Sequence, residues 1–142
     1  MYDRQVMDVE DALRAVDAAL DAASAESAGP VAVAVVDDNG DLVAFARTDG
    51  TPIFQRKHAI RKAYTASRVG ADLNEFAAER SQRGLSAADF GDGFVGAAHG
   101  GVIVRVAGQS TVVGAIGVQG FDREIDERLA RVALAALQGG LS

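Results

Sequence analysis

The chain has 142 residues, the length of one ordinary domain, and its 14 Lys and Arg against 20 Asp and Glu give a net charge of −6. This acidic balance argues against a general nucleic-acid-binding protein, because phosphate binding needs a basic face. The lack of cysteine excludes disulfides, thiolate metal sites and a thiol nucleophile. With no signal-peptide pattern and no stretch near the ~18 apolar residues of a membrane span, we expect a cytoplasmic protein without a membrane partner.

The first third of the chain predicts a helix followed by a β-hairpin. Residues 4–28 carry apolar side chains at three- and four-residue spacing, which predicts an amphipathic helix with Asp3 as its N-cap. The apolar segments 31–36 and 42–46 are typical of strands. An Asn-Gly pair at 39–40 lies between them and predicts a type I′ turn, because both of its central residues adopt positive φ.

The remainder of the chain predicts three helices and a second hairpin. The first two helices cover 51–69, with Thr51 as N-cap, and 73–83, capped by Asp72. A glycine-rich loop follows, with a short strand at 94–98. The second hairpin has strands over 102–106 and 111–118, and the last helix extends from Asp122 to Gly139-Gly140. The whole pattern predicts one α+β domain over residues 1–142, in which an antiparallel sheet of about five strands is flanked by helices.

The positive charge is concentrated in one segment. Residues 51–71 contain five cations and no acid, so the rest of the chain carries a net charge of −11. The five cations are Arg56, Lys57, Arg61, Lys62 and Arg68. A cationic segment in an acidic protein predicts a local site for a small anionic ligand.

One face of the predicted helix over 51–69 carries the residues best suited to such a site. Gln55, His58, Lys62 and Thr65 are spaced three and four residues apart and therefore share that face. A lysine or histidine in this position can hold a carboxylate or act as an acid or base near neutral pH. The alternative is a solvated helix paired with the surplus acids, and the pattern alone leaves both open.

Two other segments hold candidate site residues. Arg47 and Asp49 close the second predicted strand, where they form either a ligand contact or a structural pair with Asp49 bonding backbone amides. His99 precedes Gly100 and Gly101, a glycine pair at which the backbone can approach a ligand closely. A lone histidine is also commonly structural or exposed.

Several common site patterns are missing from the sequence. Gly114, Gly117 and Gly120 do not match the dinucleotide-binding fingerprint, and within a strand they indicate close packing or an oligomer contact. There is no nucleophile elbow of the GxSxG type and no HExxH zinc motif.

Taken together, the motifs resemble the GlcG/HbpS family of small haem-binding-type proteins, which also occurs as the C-terminal domain of PduO-like proteins. The resemblance extends over nearly the whole chain. The matching stretches are 31–37 with 39–42, 47–50, 62–66, 100–102, 113–118, and Asp126 with 129–130.

The resemblance implies an antiparallel sheet flanked by helices, assembly into homo-oligomers, and haem or corrinoid binding in some relatives. Its Arg-x-Asp-Gly, Lys-Ala-x-Thr-Ala and Gly-Gly motifs correspond here to Arg47, Asp49, Gly50, Lys62, Ala63, Thr65, Ala66, Gly100 and Gly101. This chain differs from the family pattern near the expected pocket. It has Gln119 in place of a serine, Ile103 in place of a proline, and the polar stretch 54–59 in place of small or apolar residues.

The first functional hypothesis is a haem or tetrapyrrole binder. Lys62, Arg61 and Arg56 would pair with the propionates, and His99 or His58 would be the iron ligand. The residues predicted to contact a ligand are Arg47, Asp49, Gln55, Lys62, Thr65, Gly100, Gly101 and Gln119.

The second hypothesis is a cofactor-independent isomerase, lyase or hydrolase acting on a small carboxylated or enolic metabolite. Lys62 or Arg47 would bind the anion, and His58, His99 or Lys62 would transfer a proton. The amides of residues 100–101 would stabilise developing charge. A third hypothesis is a structural or regulatory oligomer without a small ligand.

Overall fold

In the computed structural model, which describes residues 1–96 and 99–139, four α-helices and four strands follow one another along the chain. The elements are α1 (Val9–Ala25), β1 (Ala32–Asp37), β2 (Leu42–Arg47), α2 (Ile53–Val69), α3 (Leu73–Gln82), a 3₁₀ helix (Ala87–Phe90), β3 (Gly101–Arg105), β4 (Val112–Gln119) and α4 (Arg123–Gln138). The predicted α+β class is confirmed. Among these described residues, no helix is long and apolar enough to cross a membrane.

The strands form one antiparallel sheet in the order β2-β1-β4-β3. β1 lies inside this sheet and is covered on both faces, which explains its uninterrupted apolar sequence. Val33 and Val35 belong to the core on one face, and Ala32, Ala34 and Val36 belong to the core on the other. A one-residue slip would exchange the valines at 33 and 35 for the smaller alanines at 32 and 34, so the packing on the two faces favours the observed register.

The helices form two layers, one on each face of the sheet. α1 and α4 pack together over the face that holds Val33 and Val35, and α2 covers the opposite face. α2 presents mainly alanines to the sheet, and it approaches β4 most closely at Gly117. A Cβ atom at Gly117 would lie 2.6 Å from the backbone nitrogen of Ala63 and also against the carbonyl of Ala59. The close-packing interpretation of this glycine is thus confirmed, and the approach brings α2 side chains to the end of β4.

The strand count differs from the prediction, because the described residues contain four strands rather than about five. The predicted strand at 94–98 does not form over Phe94–Gly96. The backbone amides of Phe94 and Gly96 donate to side chains of a turn and of α2, and not to a neighbouring strand. The amide of Phe94 donates to Asp92 Oδ1 at 2.9 Å, and the amide of Gly96 donates to Thr65 Oγ1 at 3.0 Å. Residues 97 and 98 lie outside the described part of the chain.

The predicted start of α1 is wrong by five residues. Asp8, and not Asp3, is the N-cap, and its Oδ1 accepts a hydrogen bond from the amide of Asp11 at 2.8 Å. Met7 is buried directly before this cap and packs where the backbone of Gly114 leaves room. The burial of Met7 against Gly114 therefore sets the residue at which the helix begins.

The turn between β1 and β2 is a hairpin, as predicted, but it is not of type I′. Gly40 has a φ of 87°, whereas Asn39 is not among the residues with positive φ. The Oδ1 atom of Asp37 instead accepts hydrogen bonds from the amides of Asn39 and Asp41, at 2.9 and 3.0 Å. The acidic side chain organises a longer turn that needs positive φ at the glycine alone.

The start of α2 also differs from the prediction. Pro52 is the N-cap and makes no side-chain cap bond. The hydroxyl of Thr51 donates to the carbonyl of Thr48 at 2.7 Å, so it closes the preceding turn and does not cap the helix. The amide of Val31 donates to Thr48 Oγ1 at 2.9 Å, which joins this turn to the beginning of the sheet.

Candidate functional site

A pocket of about 430 Å³ opens between α2, α3 and the beginning of α4, at the end of β4. Four of the predicted site residues line it, namely His58, Lys62, His99 and Gln119. The complete lining is His58, Lys62, Ala77, His99, Gln119, Gly120, Phe121, Arg123 and Asp126. The fold thus brings α2 together with residues near 99 and 120, which are distant in sequence.

Lys62 and Asp126 form a buried ion pair in this pocket. The Nζ atom of Lys62 donates to the carbonyl of Val118 at 2.7 Å and to Asp126 Oδ2 at 3.3 Å. The other carboxylate oxygen, Oδ1, accepts a hydrogen bond from the amide of Gly120 at 2.8 Å. Only 5% of Lys62 and 2% of Asp126 are exposed. Each charge thus has a hydrogen-bond partner besides the other, which offsets part of the cost of removing both from water.

Burial disfavours the charged form of both partners. It lowers the pKa of Lys62 below its ordinary value, against the opposing effect of the Asp126 carboxylate. It raises the pKa of Asp126, against the opposing effects of Lys62 and of the Gly120 amide. Shifted pKa values at a pocket are typical of groups that accept or donate protons during a reaction, and they also occur in structural ion pairs.

The two histidines, 41 residues apart in the sequence, line the same pocket. His58 is exposed on α2, and the ring of Phe54 meets it edge-on with centroids 6.1 Å apart. His99 is partly buried, and the amide of the next residue, Gly100, donates to Glu127 Oε2 at 2.9 Å. The second oxygen of Glu127 accepts from Arg131 at 3.0 Å. The backbone beside His99 is therefore fastened to α4.

The glycine pair serves close packing around the ion pair. Gly100 has a φ of 92°, and a Cβ atom there would lie 3.1 Å from Lys62 Nζ. A Cβ atom at Gly101 would collide with the side chain of Leu73. The predicted use of these amides to stabilise developing charge finds no support at Gly100, because its N–H is bonded to Glu127.

Thr65 and Gln55 do not line the pocket, although they share its helix. The Thr65 hydroxyl donates to the carbonyl of Arg61 at 2.7 Å and accepts from the amide of Gly96. Thr65 therefore holds the loop before β3. Gln55 is completely buried, and both of its amide atoms lack a hydrogen-bond partner among the described residues.

Arg47 and Asp49 lie outside the pocket and are exposed. Arg47 is opposite Ala32, which is in turn opposite Gln119, so Arg47 is two strands away from the nearest pocket residue. Within the described residues, Asp49 makes no hydrogen bond to backbone amides, and the structural role predicted for it is filled by Thr48 and Thr51. The predicted Arg–Asp pair is not formed.

The cations predicted to hold propionates are largely engaged within the protein. Lys62 is bonded to Val118 and Asp126, as described above. Arg61 donates to the carbonyls of Phe94 and Val95 at 3.0 and 3.1 Å. Lys62 therefore belongs to the pocket wall, whereas Arg61 holds the loop at 94–95 and does not line the pocket, so an anionic ligand needs another partner.

Five lining residues were not among the predicted site residues, namely Ala77, Gly120, Phe121, Arg123 and Asp126. Asp126 carried a detectable signal, because it is spaced with Leu129 and Ala130 on the apolar face of α4, where a charge needs a partner. Arg123 and Phe121 carried no such signal. Their place in the pocket depends on how the loop after β4 meets α2.

Comparisons with known proteins agree with this fold. Residues 7–135 match the family described as haem degrading protein HbpS-like. No curated protein matches the chain significantly. A double mutant of HbpS from Streptomyces reticuli is 31% identical to it, with a TM-score of 0.85 over 96% of this chain and 90% of that one.

Two further solved structures share the architecture. The PduOC:Heme complex is 24% identical, with a TM-score of 0.81, covering 93% of this chain and 95% of that one. The protein ORFY of Klebsiella pneumoniae is 24% identical, with a TM-score of 0.81, covering 96% of each chain. At this identity the two structures show a common fold.

Proposed function

Since this chain belongs to the HbpS-like family, we propose that it binds a haem-type tetrapyrrole in the pocket between α2 and α4. The observation that carries the proposal is the convergence of His58 and His99 on one pocket. Imidazole is the commonest protein ligand of haem iron. The family's description and the haem carried by PduOC, which has the same fold, support the same ligand class.

The lining residues fit a haem in chemistry. The pocket volume of about 430 Å³ lies within the range of sites that bind small molecules and cofactors. Phe121 and Ala77 offer apolar surface to a ring, while two imidazoles offer nitrogen donors. Among the described residues, no group of three His, Asp or Glu side chains is placed to bind a metal ion. The histidines are thus better suited to an iron held in a macrocycle than to a bare ion.

We assign the iron ligand to His99 and a flanking role to His58. His99 is partly buried, and the Gly100–Glu127 bond fixes the backbone beside it, whereas His58 is exposed on the helix surface. A partly buried imidazole on an anchored backbone loses less freedom when it binds iron than an exposed one. Haem would supply a redox-active iron centre when bound. The Lys62–Asp126 pair would hold a proton at the inner wall of the pocket.

A hemin titration followed by absorption spectroscopy tests this proposal. We expect a saturable shift of the Soret band with the wild type, loss of that shift in His99→Ala, and weaker binding in His58→Ala. Lys57→Ala is the matched control, because Lys57 is exposed on the same helix and does not line the pocket. A wild-type protein that produces no Soret shift would contradict haem binding.

The ion pair favours a second candidate function, acid–base catalysis on a small carboxylated or enolic metabolite. Burial lowers the pKa of Lys62, which moves this amine toward the range in which it exchanges protons at neutral pH. His58 and His99 line the same pocket and can relay the proton.

Proton exchange into a simple 2-oxo acid tests this second candidate. With pyruvate in D₂O, NMR would show methyl-proton exchange above the buffer rate in the wild type, and Lys62→Met and His58→Ala would lose it while remaining folded. Full exchange rates in both variants would rule out these roles.

A homo-oligomeric state and a cytoplasmic location stay predictions. A structural or regulatory oligomer without a ligand is the outcome expected if neither hemin nor a carboxylate binds to the pocket.

A further inference from the structure

Arg123 is a cation of the pocket whose charge is not used inside the protein. Arg123 lines the pocket. Within residues 1–96 and 99–139, its guanidinium makes no salt bridge and no hydrogen bond. The amine of Lys62, the other lysine or arginine side chain there, already bonds Val118 and Asp126. An anion entering the pocket therefore meets Arg123 as its available strong cation.

Among the acids near Arg123, Asp122 and Asp126 have partners of their own, and Glu124 is exposed at the next position of the helix, where adjacent side chains do not face each other. Asp122 is the N-cap of α4, and its Oδ1 accepts from the amides of Glu124 and Ile125 at 2.9 and 3.1 Å. Asp126 is bonded to Lys62 and Gly120. Arg123 is the first residue of α4, and the Asp122 cap fixes its backbone. The Arg123 side chain therefore extends from an ordered helix end. The positive end of the helix dipole adds to the attraction for an anion.

Resting on the proposed function, we propose that Arg123 binds a carboxylate of the ligand, and that the ligand is a planar ring system carrying at least one carboxylate. A guanidinium presents two parallel N–H donors to a carboxylate, a geometry that ammonium lacks. Phe121 lies in the same pocket lining and is 68% exposed, which provides an apolar surface for a ring. The carboxylate would then be held at the rim while the ring fills the pocket.

Paired ligands that differ only in their carboxylates test this assignment. Hemin and hemin dimethyl ester are titrated into the wild type, Arg123→Gln, Arg123→Lys and Arg105→Gln. Arg105 is the matched control, because it is exposed at the opposite end of β3 and does not line the pocket. We expect the Kd for hemin to rise roughly fivefold or more in Arg123→Gln, and to rise less in Arg123→Lys. The Kd for the ester would be the same in all four proteins.

Equal hemin affinities in the wild type and Arg123→Gln would overturn the role of Arg123 and leave haem binding standing. Absence of hemin binding to the wild type would instead overturn the proposed function. Isophthalate, a small aromatic dicarboxylate, then reports on Arg123 by itself, through calorimetry with the same four proteins. Binding that is lost in Arg123→Gln and kept in Arg105→Gln supports the assignment, and no binding to the wild type overturns it.

Discussion

At the scale of single residues, the Lys62–Asp126 pair links the stability of the fold to the chemistry of the pocket. Replacing Lys62 with methionine removes one charge and leaves the Asp126 carboxylate buried without its counter-ion. Losses of this kind cost about 3–5 kcal/mol in buried pairs. We expect Lys62→Met to lower the free energy of unfolding by an amount in that range, measured by urea denaturation.

The double variant Lys62→Met/Asp126→Asn separates the cost of an unpaired charge from the loss of packing. Asparagine keeps an Oδ1 acceptor for the amide of Gly120 and removes the charge, so the double variant should recover most of the lost stability. Arg83→Met breaks an exposed pair with Glu79 and serves as a control, with an expected loss of about 0.5 kcal/mol or less. A double variant less stable than Lys62→Met would contradict this account.

The lowered pKa of Lys62 also predicts how stability depends on pH. The folded pKa lies below the ordinary value of 10.5, so just below pH 10.5 the unfolded chain binds more protons at this site than the folded one. Under that condition the free energy of unfolding increases with pH. The contribution of Lys62 should therefore rise through this alkaline window and level off above 10.5.

Unfolding of the wild type and of Lys62→Met/Asp126→Asn, measured at intervals from pH 7 to pH 10.5, isolates that contribution. The wild type should gain stability relative to the double variant as the pH rises. A difference that stays flat or falls over the whole range would show that the pKa of Lys62 is not lowered.

At the scale of secondary-structure elements, the contact of α2 with β4 depends on Gly117. A Cβ atom at this position would lie within 2.6 Å of the Ala63 backbone, and backbone atoms cannot move aside as a flexible side chain can. We expect Gly117→Ala to lower the free energy of unfolding by roughly 1–3 kcal/mol or more, because the helix has to shift.

The same substitution at Gly93 provides the comparison. No atom outside its chain neighbours lies within 4 Å of a Cβ atom at Gly93, and its φ is not positive. Gly93→Ala should therefore leave stability nearly unchanged. Urea denaturation of both variants measures the difference, and equal stabilities would refute the packing role of Gly117. Hemin affinity should also fall in Gly117→Ala, because Lys62 and His58 are carried by the displaced helix.

The elements themselves were largely predictable from local sequence, and their boundaries were not. The uninterrupted apolar run of β1 predicted a buried strand, since few other elements of this length bury every residue. The beginning of α1 was missed because two aspartates, Asp3 and Asp8, are equally good caps in isolation. The burial of Met7 against Gly114 selects the second, and that contact is made with a strand more than 100 residues away.

At the scale of the whole molecule, the site depends on contacts that no local pattern contains. The helical spacing of His58 and Lys62 correctly placed them on one face of α2, and it placed Gln55 and Thr65 there as well. Only the packing of the sheet and α4 against this face decides which of them reach the pocket. The convergence of His99 with Arg123 follows from the antiparallel pairing of β3 with β4, which places the start of β3 beside the end of β4 and which the predicted second hairpin already implies. The strand order β2-β1-β4-β3, by contrast, was not predicted from the sequence.

The surface of the molecule bears on the predicted homo-oligomer. Val9 and Leu13, four residues apart at the beginning of α1, and Val6, just before the helix, are each about half exposed. Adjacent apolar side chains that remain exposed in a single chain are commonly covered by a partner. We expect sedimentation of the wild type to give a mass that is a multiple of 14.7 kDa.

A charge in the exposed part of α1 should then weaken the assembly. Leu13→Glu places a carboxylate among these apolar side chains, and burying it in an interface without a partner is unfavourable. Ile53→Glu is the comparison, because Ile53 is exposed at the start of α2, on the opposite layer of the fold. A smaller sedimenting mass in Leu13→Glu alone would assign the interface to α1. A wild-type protein that sediments at 14.7 kDa over the whole concentration range would show that the chain is a monomer.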